Sequence, residues 1–419
     1  MRILQGNEAE VYVRGLERRA SRLERIQPAV HRIVSDVRRN GDRALLKYAR
    51  LLDGLGPTQR LRIMESELRT ALRGAPLELR KALRIAERNV RRFCEWQKPK
   101  DWARRADGVS LGQLVRPLDA VGCYVPGGRF PLVSTLLMTV IPAQAAGVKN
   151  ICVVSPRPSS EMLAAAAMLG VSEFYHVGGA QAIAALAYGT QSIARVDKIV
   201  GPGNSYVTAA KKLVSFDCAI DMLAGPTEAL IVSRQGNPAF IAADLVAQGE
   251  HDPEALAVFI TSSRKLAAAV VDAVVQGGVK RSGLKENTIA QQAITRRGAA
   301  LVASSRQQAM QWANRIAPEH ITVEKRDLPL VQNAGSVFVG DYSAQAAGDY
   351  AAGPNHVLPT AGAARFRAGL SVLDFVKVIT VQEFSSKALT RIAPVVELLA
   401  ETEGLRAHAE SIRVRYASA

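Results

Sequence analysis

A chain of 419 residues with 48% hydrophobic and 22% charged residues is globular in composition and long enough for two to four domains with sizeable cores. No apolar run reaches the roughly 18 residues of a membrane span, and the charged start MRILQGNEAEVYVRGLERRASRLERI lacks the apolar centre of a secretory signal. The net charge of +16 would suit nucleic acid, but residues 1–118 hold 27 Lys and Arg against 14 Asp and Glu, and the rest of the chain carries only +3.

The basic residues of that first part, in RRASRLER and RKALRIAERNVRR, fall at helical spacing with Glu between them. They read as solvated helix faces, with no aromatic-rich basic stripe and no zinc-finger spacing to bind nucleic acid. Residues 1–118 are expected to be mainly helical, with VHRIVSDVRRNGDRALLKYARLLDG as an amphipathic pair broken at Asn40-Gly41. From 119 the pattern becomes apolar strand, Gly- or Pro-bearing turn and Ala-rich helix, repeated. AVGCYV, NICVVSPR, FYHVGG and KIVGPG each lead into a helix, which predicts an α/β domain with a parallel, doubly wound sheet over 119–224. EALIVS, ALAVFITSS, GAALVASS, ITVEK and SVFVG form a second series, predicting a similar domain over 225–375 that faces the first across a cleft. Residues 376–419 read as a helical tail too short to fold alone, which must pack on the body or on a partner subunit. Cys94, Cys123, Cys152 and Cys218 lie far apart with no C-x-x-C pair. This argues against a disulfide framework or a thiolate zinc cage and suits a reducing, cytoplasmic location.

In α/β domains ligands bind outside the carboxyl ends of the strands. Here those turns are YVPGGR (Tyr124 to Arg129), VGGAQ (Val177 to Gln181) and VGPGNSY (Val200 to Tyr206). Each can offer backbone N–H groups to a phosphate, although the G-x-G-x-x-G dinucleotide fingerprint is incomplete. Of six histidines, His31 in a basic helix and His176 in an apolar strand read as structural. His251, His320, His356 and His408 each stand near a carboxylate, namely Glu250, Glu319, Asp349 and Glu403. Four such pairs in the last part of the chain point to one shared site, in which imidazole and carboxylate hold zinc and another His–Glu pair moves protons. Gln248 and His251, at i and i+3, share one side of a helix end. That is compatible with two ligands to one ion, although Gln is an uncommon zinc ligand that spacing alone would not select, and Gln248 also reads as a C-terminal helix residue bonding a free carbonyl.

YVPGGR, STLLM, GGAQAIAALAYGT, VDKIVGPGN, IDMLAGPTE, AQGEHD, APEH, AGDYAAGPNHVLPT and EGLRAH occur in the order seen in the histidinol dehydrogenases, and with VRRNGDRALLKYARLLDG the resemblance covers nearly the whole chain. It implies two Rossmann-like domains in a homodimer with shared active sites. It also implies zinc- and NAD-dependent oxidation of L-histidinol to L-histidine through histidinal. By the same resemblance, Gln248, His251, Asp349 and His408 are zinc ligands, with His408 supplied by the partner subunit. Glu319 and His320 are the catalytic pair. Tyr124, Gln181 and Asn204 contact NAD, and Thr227, His356 and Glu403 touch the substrate together with the ligands and His320. Ser134 is a further candidate for substrate contact. Two features depart from the family pattern: Thr227 stands where many members have Ser, and the N-terminal part is unusually basic. A related zinc- and NAD-dependent enzyme acting on another small polar alcohol is the alternative that the sequence leaves open.

Overall fold

The computed structural model describes residues 1–19, 23–127, 132–278 and 288–416. Two six-stranded sheets organise it, each clothed by helices on both faces. The first contains β2 (Arg62–Ile63), β5 (Ala120–Tyr124), β6 (Asn150–Ser155), β7 (Glu173–His176), β8 (Lys198–Val200) and β9 (Ala219–Ile220), in the order β2-β7-β6-β5-β8-β9. All its neighbours run parallel except β2, which lies antiparallel on the edge. The second contains β1 (Arg2–Gln5), β10 (Glu228–Val232), β11 (Leu256–Thr261), β12 (Ala299–Val302), β13 (His320–Val323) and β14 (Ser336–Val339), in the order β1-β12-β11-β10-β13-β14, parallel throughout. Strands buried on both faces need to be apolar along their whole length, and EALIV and LAVFIT are. Both sheets are doubly wound: order reverses between β5 and β8 in the first and between β10 and β13 in the second.

The helices before the first sheet are α1 (Gly6–Glu17), α2 (Gln27–Leu52), α3 (Glu65–Gly74) and α4 (Leu77–Gln97). Within the first domain run α5 (Val133–Ala146), α6 (Ser160–Met168), α7 (Gly179–Tyr188) and α8 (Ser205–Val214). The second has α9 (Pro238–Gly249), α10 (Arg264–Ala273), α11 (Ile289–Arg297), α12 (Arg306–Ile316) and α13 (Gln345–Tyr350). One face of the first sheet is closed by Leu68, Leu83 and Met162 of α3, α4 and α6 with the buried residues of α5, and the other by α2, α7 and α8. In the second sheet α1 and α12 cover one face and α9, α10 and α11 the other.

The N-terminal part is helical over α1–α4, and α2 is interrupted at Gly41 (φ 51°, ψ −132°), where the break is expected. It departs from the expectation elsewhere. β1 is the edge strand of the second sheet, paired with β12 from Arg2↔Ala299 to Gln5↔Val302, and α1 packs beside it. Residues 1–17 therefore fold with the second sheet and α2–α4 with the first. WARRADGVSLGQLVRP is not helix but a hairpin of β3 (Trp102–Ala106) and β4 (Val109–Pro117), turned at Asp107 (φ 52°) and Gly108 (φ 79°). Asp-Gly accepts the two positive φ values of a tight hairpin turn, a local signal at odds with the helix expected over 1–118. The tail likewise begins as strand: β15 (Val376–Phe384) pairs antiparallel with all nine residues of β4 before α14 (Ser386–Thr402) and α15 (Arg406–Tyr416). Its run VKVITV is β-branched at every position but Lys377, which suits a strand better than a helix. Some of the basic residues pair with acids along helix faces, as in Arg14–Glu10, Arg69–Glu65, Lys81–Glu78 and Arg91–Glu87. Among the described residues no helix is long and apolar enough to cross a membrane.

Candidate active site

A cavity of about 180 Å³ opens where the carboxyl edge of the first sheet meets the amino edge of the second. Pro202, Met222 and Ala224 enter it from the turns after β8 and β9. The second domain contributes from the opposite end of its strands to that expected for an α/β fold. Thr227 immediately precedes β10, and Glu319 immediately precedes His320, the first residue of β13. The pairing Ala229↔His320 brings these two strand starts together across the order reversal of the sheet.

Glu319 is 7% exposed and His320 3%. The Thr227 hydroxyl donates to Glu319 Oε2 at 2.5 Å, and the Glu228 backbone N–H donates to the same oxygen at 2.8 Å. Burial pushes the Glu319 carboxyl up to about 7, although His320, the Thr227 hydroxyl and the Glu228 N–H all pull the other way. His320 lies between two acids, with Nδ1 3.7 Å from Glu319 Oε2 and Nε2 3.4 Å from Asp349 Oδ1. Burial works against its protonation, but the carboxylates of Glu319 and Asp349 outweigh it and hold the imidazole above its ordinary value. Nδ1 also lies 3.3 Å from the Glu228 carbonyl, so the neutral tautomer that donates there keeps Nε2 basic. Asp349 is held below the usual carboxylate range: burial opposes this, and the hydrogen bond and charge of His320 prevail. His356 contacts the Asp349 carbonyl through Nδ1 at 2.7 Å and Thr135 Oγ1 through Nε2 at 3.3 Å, and burial lowers its pKa.

Gln248, the penultimate residue of α9, is 3% exposed and donates its side-chain amide to the Thr227 hydroxyl. Thr227 thus links Gln248 to Glu319, a role beyond the substrate contact expected of it. His251, two residues past α9, is exposed and also borders the cavity, as do Asp349, His356 and Ser134. A second space of about 590 Å³ adjoins on the α9 side, bordered by Asp244, Gln248, Glu250, His251, Asp349 and Tyr350. Burial pushes Asp244 there up to about 6.

Glu403 and His408 are not brought to this cavity within one chain. Both are exposed, Glu403 just beyond α14 and His408 in α15. Among the described residues no group of three or more His, Cys, Asp and Glu side chains is placed to hold a metal ion. The donors one chain brings to the cavity are the His251 imidazole, the Asp349 carboxylate and the Gln248 amide. With the amide nitrogen of Gln248 bonded to Thr227, its carbonyl oxygen is the end left to serve as a ligand. This nitrogen–oxygen set fits zinc and lacks one ligand of a four-coordinate site.

The three turns marked as nucleotide contacts lie together at the carboxyl edge of the first sheet. Tyr124 ends β5, and burial raises its phenol to about 12; its oxygen accepts the Gly179 N–H at 3.2 Å. Gln181, three residues into α7, is fully buried and donates its amide to Asp53 at 3.0 Å. Asn204 caps α8, accepting from Tyr206 N–H at 3.0 Å and Val207 N–H at 3.1 Å. Gly201, after β8, runs so close to β5 that a Cβ there would lie 2.0 Å from the Tyr124 carbonyl oxygen. Gly128 and Arg129 of YVPGGR lie outside the described residues. Asp53, Thr135, Thr360 and the buried Lys211–Asp221 pair were not singled out as site residues. Asp53 and Asp221 sit in LLDG and IDMLAGPTE, segments recognised only as sequence patterns.

A family model described as histidinol dehydrogenase matches residues 16–416. Histidinol dehydrogenase of Aquifex aeolicus (strain VF5) is 43% identical over 398 residues, which cover 94% of this chain and 93% of the relative. That of Halalkalibacterium halodurans is 44% identical over 401 residues, 93% of each chain. The crystal structure of histidinol dehydrogenase from Elizabethkingia anophelis has a TM-score of 0.94 at 34% identity, covering 100% of this chain and 98% of that one. An acetylating aldehyde dehydrogenase from Geobacillus thermoglucosidasius, with a TM-score of 0.50 at 11% identity over 90% and 97% of the two chains, shares the fold alone.

Proposed function

Since this chain belongs to the histidinol dehydrogenase family, and is an NAD-dependent oxidoreductase that oxidises histidinol in histidine biosynthesis, we propose that the cavity between its two sheets carries out a four-electron oxidation of L-histidinol through histidinal. The Glu319–His320–Asp349 arrangement is the observation that carries this proposal. It places a basic nitrogen between two carboxylates, next to an acid that burial poises near neutrality. Gln248, His251 and Asp349 would hold zinc with His408 from a second copy of the chain, and Tyr124, Gln181 and Asn204 would contact NAD. When bound, zinc supplies an anchor for the amine and imidazole of the substrate, and NAD supplies the hydride acceptor.

His320 Nε2 takes the hydroxyl proton as the alcohol carbon loses its hydride, and the carboxylates of Glu319 and Asp349 stabilise the imidazolium formed. Oxidation of the aldehyde requires one water to add to its carbonyl carbon. Glu319, with its carboxyl near 7, takes a proton from that water as the C–O bond forms. The His320 imidazolium returns its proton to the former carbonyl oxygen, which completes the hydrate, and the neutral imidazole takes it back as the second hydride leaves. Thr227, His356 and Ser134 border the cavity and would contact the substrate. Its small volume favours retention of the aldehyde between the two steps.

The homodimer is supported by the apolar surface of the C-terminal segment, where Val378, Ile379, Val395, Leu398 and Leu399 are exposed on β15 and α14. A second copy packed there would cover these side chains and bring Glu403 and His408 to the cavity. A cytoplasmic location agrees with four buried cysteines that are free thiols. Incubation with L-histidinol, NAD and zinc should yield two NADH for each histidine formed. A folded, zinc-loaded protein that forms no NADH would overturn the proposal. For the shared site, mixing inactive His408→Ala chains with inactive His320→Ala chains should restore activity, whereas verified mixed dimers that stay inactive would argue that each site is built from one chain.

A further inference from the structure

Asp53 follows the last residue of α2 and lies far in sequence from the turns it meets. It is 5% exposed, and its Oδ2 accepts the Gly178 backbone N–H at 2.9 Å and the Gln181 side-chain amide at 3.0 Å. The surrounding backbone is fixed as well. Its own N–H donates to the Ala49 carbonyl at 3.0 Å, and Arg157, from the turn after β6, donates to the carbonyls of Asp53 at 3.1 Å and Leu52 at 3.3 Å. Since Gly179 N–H in turn reaches the Tyr124 hydroxyl, the turns after β5, β6 and β7 converge on the end of α2.

An ionised carboxylate accepts hydrogen bonds and has none to give, so the group of Gln181 that faces Asp53 is its NH₂. The orientation of the amide is thereby decided, and Oε1 is the end turned away. That oxygen is buried and has no hydrogen-bond partner among the described residues. It lies over the first turn of the ten-residue helix α7, where a Cβ on Gly179 would come within 2.7 Å of it. His176 Nε2, at the end of β7 before the same turn, is likewise buried without a partner. A bare amide acceptor is disfavoured in so buried a place, which points to a ligand that donates to it.

We propose that Asp53 is a positioning residue for the dinucleotide. By holding the NH₂ of Gln181 and the N–H of Gly178, it presents Gln181 Oε1 to a hydroxyl or amide N–H of the cofactor. This rests on the assignment of Gln181 to NAD made above. Asp53→Ala removes the acceptor, frees the amide to rotate and releases the turn. Asp53→Asn keeps the shape and can offer a neutral carbonyl oxygen in place of the charged one.

The test is calorimetric titration of the folded, zinc-loaded enzyme with NAD, alongside the KM for histidinol and the zinc content. Asp53→Ala should weaken NAD binding by about tenfold to a hundredfold, as expected for loss of a charge-assisted hydrogen bond, and Asp53→Asn by less. Zinc content and the KM for histidinol should stay at wild-type values. In a cycle with Gln181→Ala, the double variant should be little worse than Gln181→Ala alone, because Asp53 acts through that side chain. Wild-type NAD affinity in both Asp53 variants would overturn the proposal, and so would additive effects in the cycle or an equal loss of histidinol affinity. If Asp53→Ala fails to fold, Asp53→Asn and its cycle with Gln181→Ala decide the matter. If Gln181→Ala binds NAD as well as wild type, the parent assignment fails, and its failure is seen separately from that of Asp53.

Discussion

Gln181 and Gln248, buried at the facing edges of the two sheets, both have the amide nitrogen held by an acceptor and the carbonyl oxygen left over, but the acceptors differ in kind. Gln181 is held by Asp53, which also bonds the Gly178 backbone. Nearby, Lys211 and Asp221 form a buried ion pair that grips Gly201 by both backbone groups: Lys211 donates to its carbonyl at 2.5 Å, and Asp221 accepts its N–H at 2.7 Å. The carboxylates of the first sheet therefore fix backbone turns. Gln248 is held by the Thr227 hydroxyl, which in turn donates a hydrogen bond to Glu319, and burial has raised the Glu319 carboxyl to about 7. The same residue type thus ends in a brace on one side of the molecule and beside a proton-transferring acid of the proposed mechanism on the other. The difference follows from what each carboxylate meets. Burial raises Asp53 as well as Glu319, because the groups around each offset only part of the desolvation, but Asp53 is tied to backbone and amide N–H groups, whereas Glu319 lies against the Thr227 hydroxyl and the His320 imidazole.

Changes on the reactive edge should strike rate, and changes on the braced edge should strike stability or cofactor affinity. The largest effect is expected from His320→Ala, which should lower the rate of the first oxidation by about 10²–10⁴-fold with zinc content and fold retained, measured as NADH formation from histidinol. A loss below about tenfold would remove His320 from proton transfer. Lys211→Met should cost about 3–5 kcal/mol in denaturant unfolding, because it leaves Asp221 buried without its cation; loss of less than about 1 kcal/mol would break the picture of a braced edge. Glu319→Gln should slow the aldehyde-to-acid step by about a hundredfold and the first oxidation much less, with the two separated by supplying histidinal directly. Equal slowing of both steps would merge the roles of the pair. Thr227→Ser keeps the hydroxyl and should change kcat/KM by about tenfold at most, while Thr227→Val, which breaks the link between Gln248 and Glu319, should cost more.

The pH response sharpens the same contrast. The negative charge of Glu319 helps to hold the His320 imidazole above its ordinary value. Its removal in Glu319→Gln should lower that pKa and move the acid limb of the first oxidation to lower pH. For stability the sign is fixed by the raised folded value of Glu319, about 7 against 4.5 for the free group. Between those values the folded chain binds more protons than the unfolded one, so the contribution of Glu319 to stability declines as pH rises. Unfolding of Glu319→Gln should show a shallower decline over that window, and an unchanged slope would mean that Glu319 is not perturbed.

Much of the architecture was legible because its signals are local. Val-, Ile- and Ala-rich runs such as NICVVS and EALIV, each followed by a Gly or Ser turn and an apolar helix, mark the strand–helix units of both sheets. The pairing of His with a nearby carboxylate marked Glu319 and His320, which are adjacent in sequence. Arg2–Gln5, in contrast, is a four-residue strand whose partner lies almost 300 residues away, and nothing within RILQ specifies it. Thr227 is tied to Glu319 across 92 residues, and Asp53 to Gln181 across 128. Neither contact leaves a mark in the spacing of its own segment.

The sequence by itself determined two doubly wound α/β units and the residue types available for proton transfer and metal ligation, because strand and helix preferences and turn chemistry act over about ten to twenty residues. Tertiary structure alone decided that the second sheet offers the amino ends of its strands to the cavity. It also decided that Asp53 orients Gln181, and that burial sets the acidity of Glu319. Strand order, parallel register and desolvation depend on which distant segments come to lie side by side, and that is a property of the packed whole.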